Sequence, residues 1–394
     1  MRRWILVFGV LVANEAFAQE EYVDRALETH PQLGLIESRA KVAEVSADAM
    51  TRWPDPQVTL GYWPGMFRVE VMQMIPWPTK VLGPAEEARL RAQVERAQTD
   101  VFARELRRDV ELLTLELWEI QERKKWLAEL TQILEGVLSA VSARVEVGQA
   151  KASSLHQIGL QISKLRNEVQ ALGARENGVS ARMAALLGDD YPKRYSAPDT
   201  LPAPRSVQDP KTYTAQLASH PELLKIAAQK AEIAQAMESA GAQGMPDFSV
   251  GYEYEHGPHT EMPHMVMVGF SIPIWRGTYR AAEDVATARR VAADAEERVF
   301  TQKASGMIYA KLVAINESAR EIELYNSELV PQAEAAFESS VADFEQDGSV
   351  TALLLAQRDL VELKLKLIEL KARHQSAWIE LKEWAPELHQ GNEP

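Results

Sequence analysis

The chain has 394 residues, with 43 Lys and Arg against 57 Asp and Glu, a net charge of −14 at pH 7 and no cysteine. Such acidity excludes a nucleic-acid partner, because polyanions are bound by basic stripes. Without cysteine there is no disulfide stapling, so an exported chain of this kind relies on packing, coiled coils or oligomerisation.

The N-terminus reads as a secretory signal peptide over 1–18. Arg2 and Arg3 supply the basic region, Trp4–Ala13 the apolar run, and Ala16-Phe17-Ala18 the small-x-small cleavage site. The run is too short to span a bilayer, which takes about 20 apolar residues. Cleavage after Ala18 leaves Gln19 and not Cys, so no lipid anchor is expected there. No second long apolar run follows, and no transmembrane helix is expected.

A helical pattern then covers 20–52 and contains His30-Pro31-Gln32-Leu33. Two strands follow at about 56–63 and 67–76. Val58, Leu60 and Tyr62 alternate with Gln57, Thr59 and Gly61, and Val69, Val71 and Ile75 with Glu70, Met72 and Met74. The next helical pattern runs over 84–146, roughly 95 Å at about 1.5 Å per residue, far beyond an ordinary globular helix. Leu90, Val94, Ala97, Val101, Leu106, Val110, Leu113, Leu117, Ile120, Leu127, Leu130, Leu134, Val137, Val141 and Val145 recur in steps of three and four, a heptad seam. The opposite face is dense in Glu, Arg and Lys, as solvated helix faces are. Gly148 breaks the pattern and supplies the left-handed residue that a tight reversal needs. A further helix over 150–188 leads into a Pro-rich linker over 189–210, with Pro192, Pro198, Pro202, Pro204 and Pro210.

The chain then repeats itself. His220-Pro221-Glu222-Leu223 opens a helix over 220–243, roughly 190 residues after its first copy. PDFSVGY at Pro246–Tyr252 echoes PQVTLGY at Pro56–Tyr62, and SIPIW at Ser271–Trp275 echoes MIPW at Met74–Trp77. Strands are expected over about 246–255 and 264–274, with Phe248, Val250, Tyr252, Tyr254, Val266, Val268, Phe270 and Ile272 on one face. Asp247, Ser249, Gly251, Glu253, Met265, Met267, Gly269 and Ser271 form the other. A long helix over 277–345 follows, its seam at Leu312, Ile315, Ala319, Ile322, Leu329, Ala336, Val341 and Phe344, with Pro331 expected to kink it. It turns at Gly348, and a last helix covers 349–385. The organisation is therefore a first repeat over 19–188, the linker 189–210, a second repeat over 211–385 and a tail over 386–394. Each repeat is a helix, a strand pair (56–76 and 246–274) and a long helical hairpin with its tip near 148 or 348.

The strands are as long as tilted transmembrane strands need to be, with one face apolar and the other polar or small. Trp63, Trp77, Tyr252, Tyr254 and Trp275 lie near their ends, where aromatic girdles sit. A soluble sheet with one wet face has the same alternation. The signal peptide and the length of the helices favour a membrane barrel. Four strands cannot close, and open edges are not tolerated in lipid. Two chains would give eight strands and a filled bore; three would give twelve and a lumen.

The chain resembles the TolC-like outer-membrane efflux family over nearly all of its mature length. The resemblance is carried by the doubled HPxL starts, by Ile75-Pro76 and Ile272-Pro273, by Leu329–Glu334 leading to Phe344–Gly348, and by Ala356-Gln357-Arg358-Asp359-Leu360. It implies a mainly α fold with a transmembrane β-barrel: a homotrimer of twelve strands, four per chain, continued by a periplasmic α-helical coiled-coil barrel. It also implies docking on a periplasmic adaptor (membrane fusion) protein and an inner-membrane efflux pump, with outer-membrane lipid around the barrel. Many relatives carry acidic residues six and nine positions after the second tip glycine. Here those positions are Leu354 and Gln357, so an acidic gate is not supported.

Two sets of site residues stand out. The hairpin tips, Val147, Gly148, Gln149, Ala150 and Asp347, Gly348, Ser349, Val350, are expected to meet the adaptor, although both glycines are needed for the turns alone. Seven of the twelve methionines, Met66, Met72, Met74, Met245, Met262, Met265 and Met267, lie in or beside the strands. The second loop adds His256, His259 and His264. Alternation turns Met72, Met74, Met265 and Met267 toward the lumen, where thioethers would suit Cu(I) or Ag(I) and imidazoles Zn or Cu(II). Methionine also simply fills narrow spaces. Glu70, Asp247, Glu253 and Glu255 would favour cations or pair with neighbouring bases. His30 and His220 read as structural and His156 as solvated. No nucleophile–base set, phosphate loop or zinc spacing is found, so neither catalysis nor a cofactor is expected. The leading expectation is a passive outer-membrane duct for heavy-metal cations, copper and silver or zinc and cobalt. The alternatives are the same duct carrying drugs or peptides, and a soluble periplasmic coiled-coil adaptor or scaffold.

Overall fold

The computed structural model describes residues 20–207, 209–258, 261, 263–347 and 350–385, the side chains of 345–347 excepted. The signal peptide, Gln19, His259, Met262, Gly348, Ser349 and the tail lie outside the described residues. Two compact units are built from separated stretches of chain. One is Gln32–Phe102 with Ala218–Lys303; the other comprises Ala103–Leu217 with the chain before Gln32 and from Ala304 onward.

The first unit takes in α2 (Pro31–Met50) from Gln32 onward. The single helix expected over 20–52 is divided at His30, between α1 (20–29) and α2. Proline at the first helical position has no N–H to lose there and cannot continue a helix that precedes it. The second copy uses the same device. Pro221 opens α6 (Pro221–Ala242), and His220 Nδ1 accepts the Glu222 N–H at 3.1 Å as its cap. His220 is buried against Phe300, so its role is structural.

β1 (Gln57–Trp63), β2 (Met66–Ile75), β3 (Phe248–His256) and β4 (His264–Phe270) form one antiparallel sheet in the order β1-β2-β3-β4. The two ribbons are thus joined through β2 and β3, one from each half of the sequence. β4 ends earlier than the expected 274. Ser271 still exchanges bonds with Asp247, its N–H donating to the Asp247 carbonyl at 2.8 Å, but Pro273 can donate none.

α3 (Pro78–Glu146) starts before Pro84, which lies inside it. In its first turns the buried residues are Ala85, Ala88 and Ala92, not the expected Leu90 and Val94. Small residues are needed because α6 crosses closely: a Cβ on Gly83 would lie 2.6 Å from Ser239 Oγ.

In the second unit α3 follows its seam closely. Val101, at the end of its stretch in the first unit, then Leu106, Val110, Leu113, Leu117, Ile120, Leu127, Leu130, Leu134, Val137 and Val141 are all buried. α4 (Ala152–Leu187) runs from the first tip to Gly188, and the linker follows. Asp189 at the linker's start accepts from Lys193 at 2.8 Å and from Tyr195 Oη at 2.8 Å, and it pairs with Arg25 of α1. The linker ends in the short α5 (Pro210–Ala215), capped by Asp209. α7 (Arg276–Leu324) passes through a π-helical turn at Tyr325–Leu329 into α8 (Val330–Asp347), and α9 (Val350–Trp384) packs on α8.

The π turn is how the helix accommodates Pro331. A proline ring collides with the carbonyl four residues back, and one extra residue in the preceding turn opens room. The extra residue also rotates the buried face. Val330, Ala333, Phe337 and Phe344 are buried, while Ala336, expected on the seam, is exposed and Val341 half-buried. No described helix is long and apolar enough to cross a membrane.

Candidate functional site

The sheet's register fixes its two faces. Val58 pairs with Val71, Val71 with Tyr252 and Tyr252 with Val266; Leu60, Val69, Tyr254 and His264 form the next row. With Phe248, Val250, Val268 and Phe270 these residues form one apolar face, and it is uncovered: Leu60 is 69% exposed, Val266 74% and Val268 76%. β1 and β4 are the outer strands, and neither outer edge is paired among the described residues.

The other face is polar and sulfur-rich. Gln57, Met72, Gly251 and Met267 share one row; Thr59, Glu70, Glu253 and Met265 share the next. Met74 lies beside Ser249 and Gly269. The four expected methionines therefore occupy the same face. Arg68, which patterning alone does not single out, pairs with Glu253 at 2.5 Å and Glu70 at 3.4 Å. The sequence signal for it is its place two residues from Glu70 on the alternating polar face; Glu253 joins only through the pairing of β2 with β3. Asp247 is likewise taken up, by Lys80 at 2.9 Å and the Trp77 N–H at 3.1 Å.

Trp63 does not join the apolar face. It lies over Gly61 on the polar one, where a Cβ at position 61 would meet Trp63 Cζ3 at 2.7 Å. His264 and His256 fall on the apolar face, away from the methionines. His264 Nδ1 bonds the Tyr252 hydroxyl at 2.5 Å, and its ring lies against Tyr254. Among the described residues no group of three or more His, Asp or Glu is placed to hold a metal ion.

The first tip closes as a Schellman turn. Gly148 sits at φ +74°, its N–H donates to the Val145 carbonyl at 3.1 Å, and the Gln149 N–H reaches the Arg144 carbonyl at 2.7 Å. Val147 there is 68% exposed. Val350, at the second tip, is instead buried, because it starts the inner face of α9 with Leu353, Gln357 and Leu360. Gln357 is fully buried, and neither atom of its amide has a partner among the described residues. His156 is exposed, as expected.

No protein-family model and no curated protein matches the chain. Solved structures do. CusC, whose structures were described for transmembrane channel formation, superposes with a TM-score of 0.78 at 15% identity, over 93% of this chain and 91% of that one. The outer membrane protein VceC of Vibrio cholerae gives 0.75 at 17%, over 92% and 95%. The MtrE outer membrane channel of Neisseria gonorrhoeae gives 0.75 at 13%, over 93% and 88%. At such identities the likeness is one of fold, and the chain has the fold of these outer-membrane channels.

Proposed function

We propose that this chain is the outer-membrane component of a tripartite efflux system, a passive duct that works as a homotrimer. The observation that carries the reading is the four-stranded sheet, with an uncovered apolar face, a polar face and two open edges. Such an apolar face is unfavourable in water, and such edges are unfavourable in lipid. Threefold repetition removes both problems: twelve strands close with the apolar side outward and the polar side around a lumen. In this reading the drive comes from an inner-membrane pump, reached through a periplasmic adaptor that meets the tips near Gly148 and Gly348. The helical hairpins of the two repeats continue the barrel into the periplasm as a coiled-coil wall. The cargo is heavy-metal cations, copper and silver or zinc and cobalt. The methionine face supports this, since a conduit for drugs or peptides has no need of thioethers on a wet wall. The uncovered apolar face counts against a soluble periplasmic scaffold.

The test is purification of the mature chain. A heat-modifiable trimer that requires detergent and conducts in planar bilayers is the expected result. A monodisperse monomer in plain buffer, without affinity for bilayers, overturns the proposal.

A further inference from the structure

We infer that Met72 and Met267 form a two-thioether contact for a soft monovalent cation, Cu(I) or Ag(I), across the backbone of Gly251. The inference rests on the duct reading and narrows its cargo.

The three residues are register neighbours on adjacent strands β2, β3 and β4, with glycine in the middle. At about 4.8 Å per strand, the two methionine backbones stand about 10 Å apart. A side chain at position 251 would fill the space between them, and glycine leaves it to the thioethers. Met267 already uses it. A Cβ built on Gly251 would lie 3.4 Å from Met267 Cε, 3.4 Å from the Val71 carbonyl oxygen and 3.7 Å from Met267 Cβ, and Gly251 is buried, as is Glu253 in the next row. The methionine side chain is unbranched and flexible enough for Met72 to close on the same point from the opposite strand.

The chemistry of the row selects the ion. Thioethers are soft, neutral ligands that suit Cu(I) and Ag(I). Zinc-type ions ask for imidazole, thiolate or carboxylate groups, and no such group of three is assembled among the described residues. Two neutral sulfurs leave the cation's charge uncompensated. The next rows supply the balance: Glu70 and Glu253 both pair with Arg68, and Glu255 is Arg68's register neighbour on the same face, so carboxylates outnumber the base there. Met74 and Met265 lie two residues along the same face, one on each outer strand of the trio, so thioethers recur in both directions. A two-ligand contact of this kind binds loosely, and conduction requires sites that release.

The experiment is titration of the detergent-solubilised full chain with silver nitrate in chloride-free buffer, followed by calorimetry. Wild type is expected to bind Ag(I), and the volume-conserving double variant Met72→Leu with Met267→Leu to bind at least tenfold more weakly. Gly251→Ala, whose methyl meets its neighbours at ordinary contact distance, is expected to fall between them, and Met50→Leu, outside the sheet, to match wild type. Trimer formation and conductance are measured on the same preparations. A double variant that binds within twofold of wild type, or a conducting wild-type trimer that binds no Ag(I), overturns the inference. A chain that forms no channel overturns the duct reading instead, and its silver titration still decides the thioether contact.

Discussion

Arg144 donates from Nη1 to the main-chain carbonyl of Phe344 at 2.8 Å and holds its guanidinium 5.2 Å from the centre of the Phe344 ring. One contact therefore ties the end of α3 to the end of α8, just before both hairpins turn. Phe344 is almost wholly buried, so the pair is shielded on one side. Arg144→Ala removes a charged hydrogen bond and a cation–π contact, together about 1–3 kcal/mol of local stability. The expected result is faster amide exchange in the last turns of α8. Arg144→Lys restores only part of it, since an ammonium lacks the planar face that stacks. Unchanged exchange in Arg144→Ala would show that the tips are held by other contacts.

Gly148 separates the turn's geometry from its proposed partner. No atom of the described residues lies within 4 Å of a Cβ built there, so Gly148→Ala carries only the backbone cost of φ +74°, about 1 kcal/mol. Val147→Asp, by contrast, changes an exposed side chain and leaves stability within about 0.5 kcal/mol. If the tip meets an adaptor through Val147, the Asp variant loses cross-linking to it at unchanged melting temperature. Equal cross-linking removes Val147 from the interface.

The approach of α3 to α6 gives a paired prediction. Gly83→Ala places a methyl 2.6 Å from Ser239 Oγ and 3.3 Å from its Cβ, and overpacking of this kind costs about 1–3 kcal/mol. Ser239 Oγ is buried with no partner among the described residues, so Ser239→Ala alone is neutral or stabilising. The double variant then recovers part of the loss. A double-mutant cycle by thermal unfolding with no coupling between the two would mean that the helices separate freely at this crossing.

These contacts mark where the sequence was and was not legible. The seam of α3 from Val101 to Val141 could be read directly, because heptad spacing is a local signal that packing then obeys. The faces of the sheet were legible for the same reason, since alternation assigns Met72 and Met267 to one side without knowing the pairing. The joining of β2 to β3 was not, because strand order depends on partners far apart in the chain. Nor was the shift from Ala336 to Phe337 on the buried side, because it depends on one π turn that proline demands but spacing does not announce. At the start of α3 the alanines were passed over for Leu90 and Val94, because hydrophobicity was read where closeness of approach decided. Alternation also puts Trp63 on the face of Gly61, but its contact with that glycine, in place of a girdle position at the strand end, comes from the structure.

His374 offers a pH-dependent test. It is buried in α9, where its Nε2 accepts the Arg205 N–H at 3.3 Å and the Trp378 indole N–H at 3.1 Å, while Nδ1 meets Ser318 Oγ at 2.9 Å. Two donors on Nε2 require the neutral ring, and burial lowers its pKa from the ordinary 6.5, opposed only by a bond to the Ile315 carbonyl. Glu122, Asp199 and Lys371 line the same cleft as the ring. A lowered pKa means that the unfolded chain takes up its proton first. This contribution to stability is therefore complete above pH 6.5 and is lost as pH falls toward the folded value. The ring holds the linker at Arg205, so acid is expected to loosen that segment first. His374→Gln should melt lower at pH 7.5 but lose less than wild type on going to pH 5.5. Parallel pH profiles for the two proteins would exclude His374 as the titrating group.

Gly61 and Trp63 bear on conduction. Trp63 lies on the polar face at the β1–β2 turn, and it can lie there only because position 61 has no side chain. In a closed barrel that face lines the lumen, so three indoles would narrow it at the end away from the helices. Trp63→Ala is then expected to raise single-channel conductance. Gly61→Ala displaces the ring, by the 2.7 Å clash with Cζ3, and should alter conductance without removing the aromatic group. The indole is 42% exposed, so neither change should cost more than about 1 kcal/mol of stability. An unaltered conductance in Trp63→Ala trimers would place the narrowest point elsewhere. It would leave the ring with the simpler task of covering the backbone between Gly61 and Arg68.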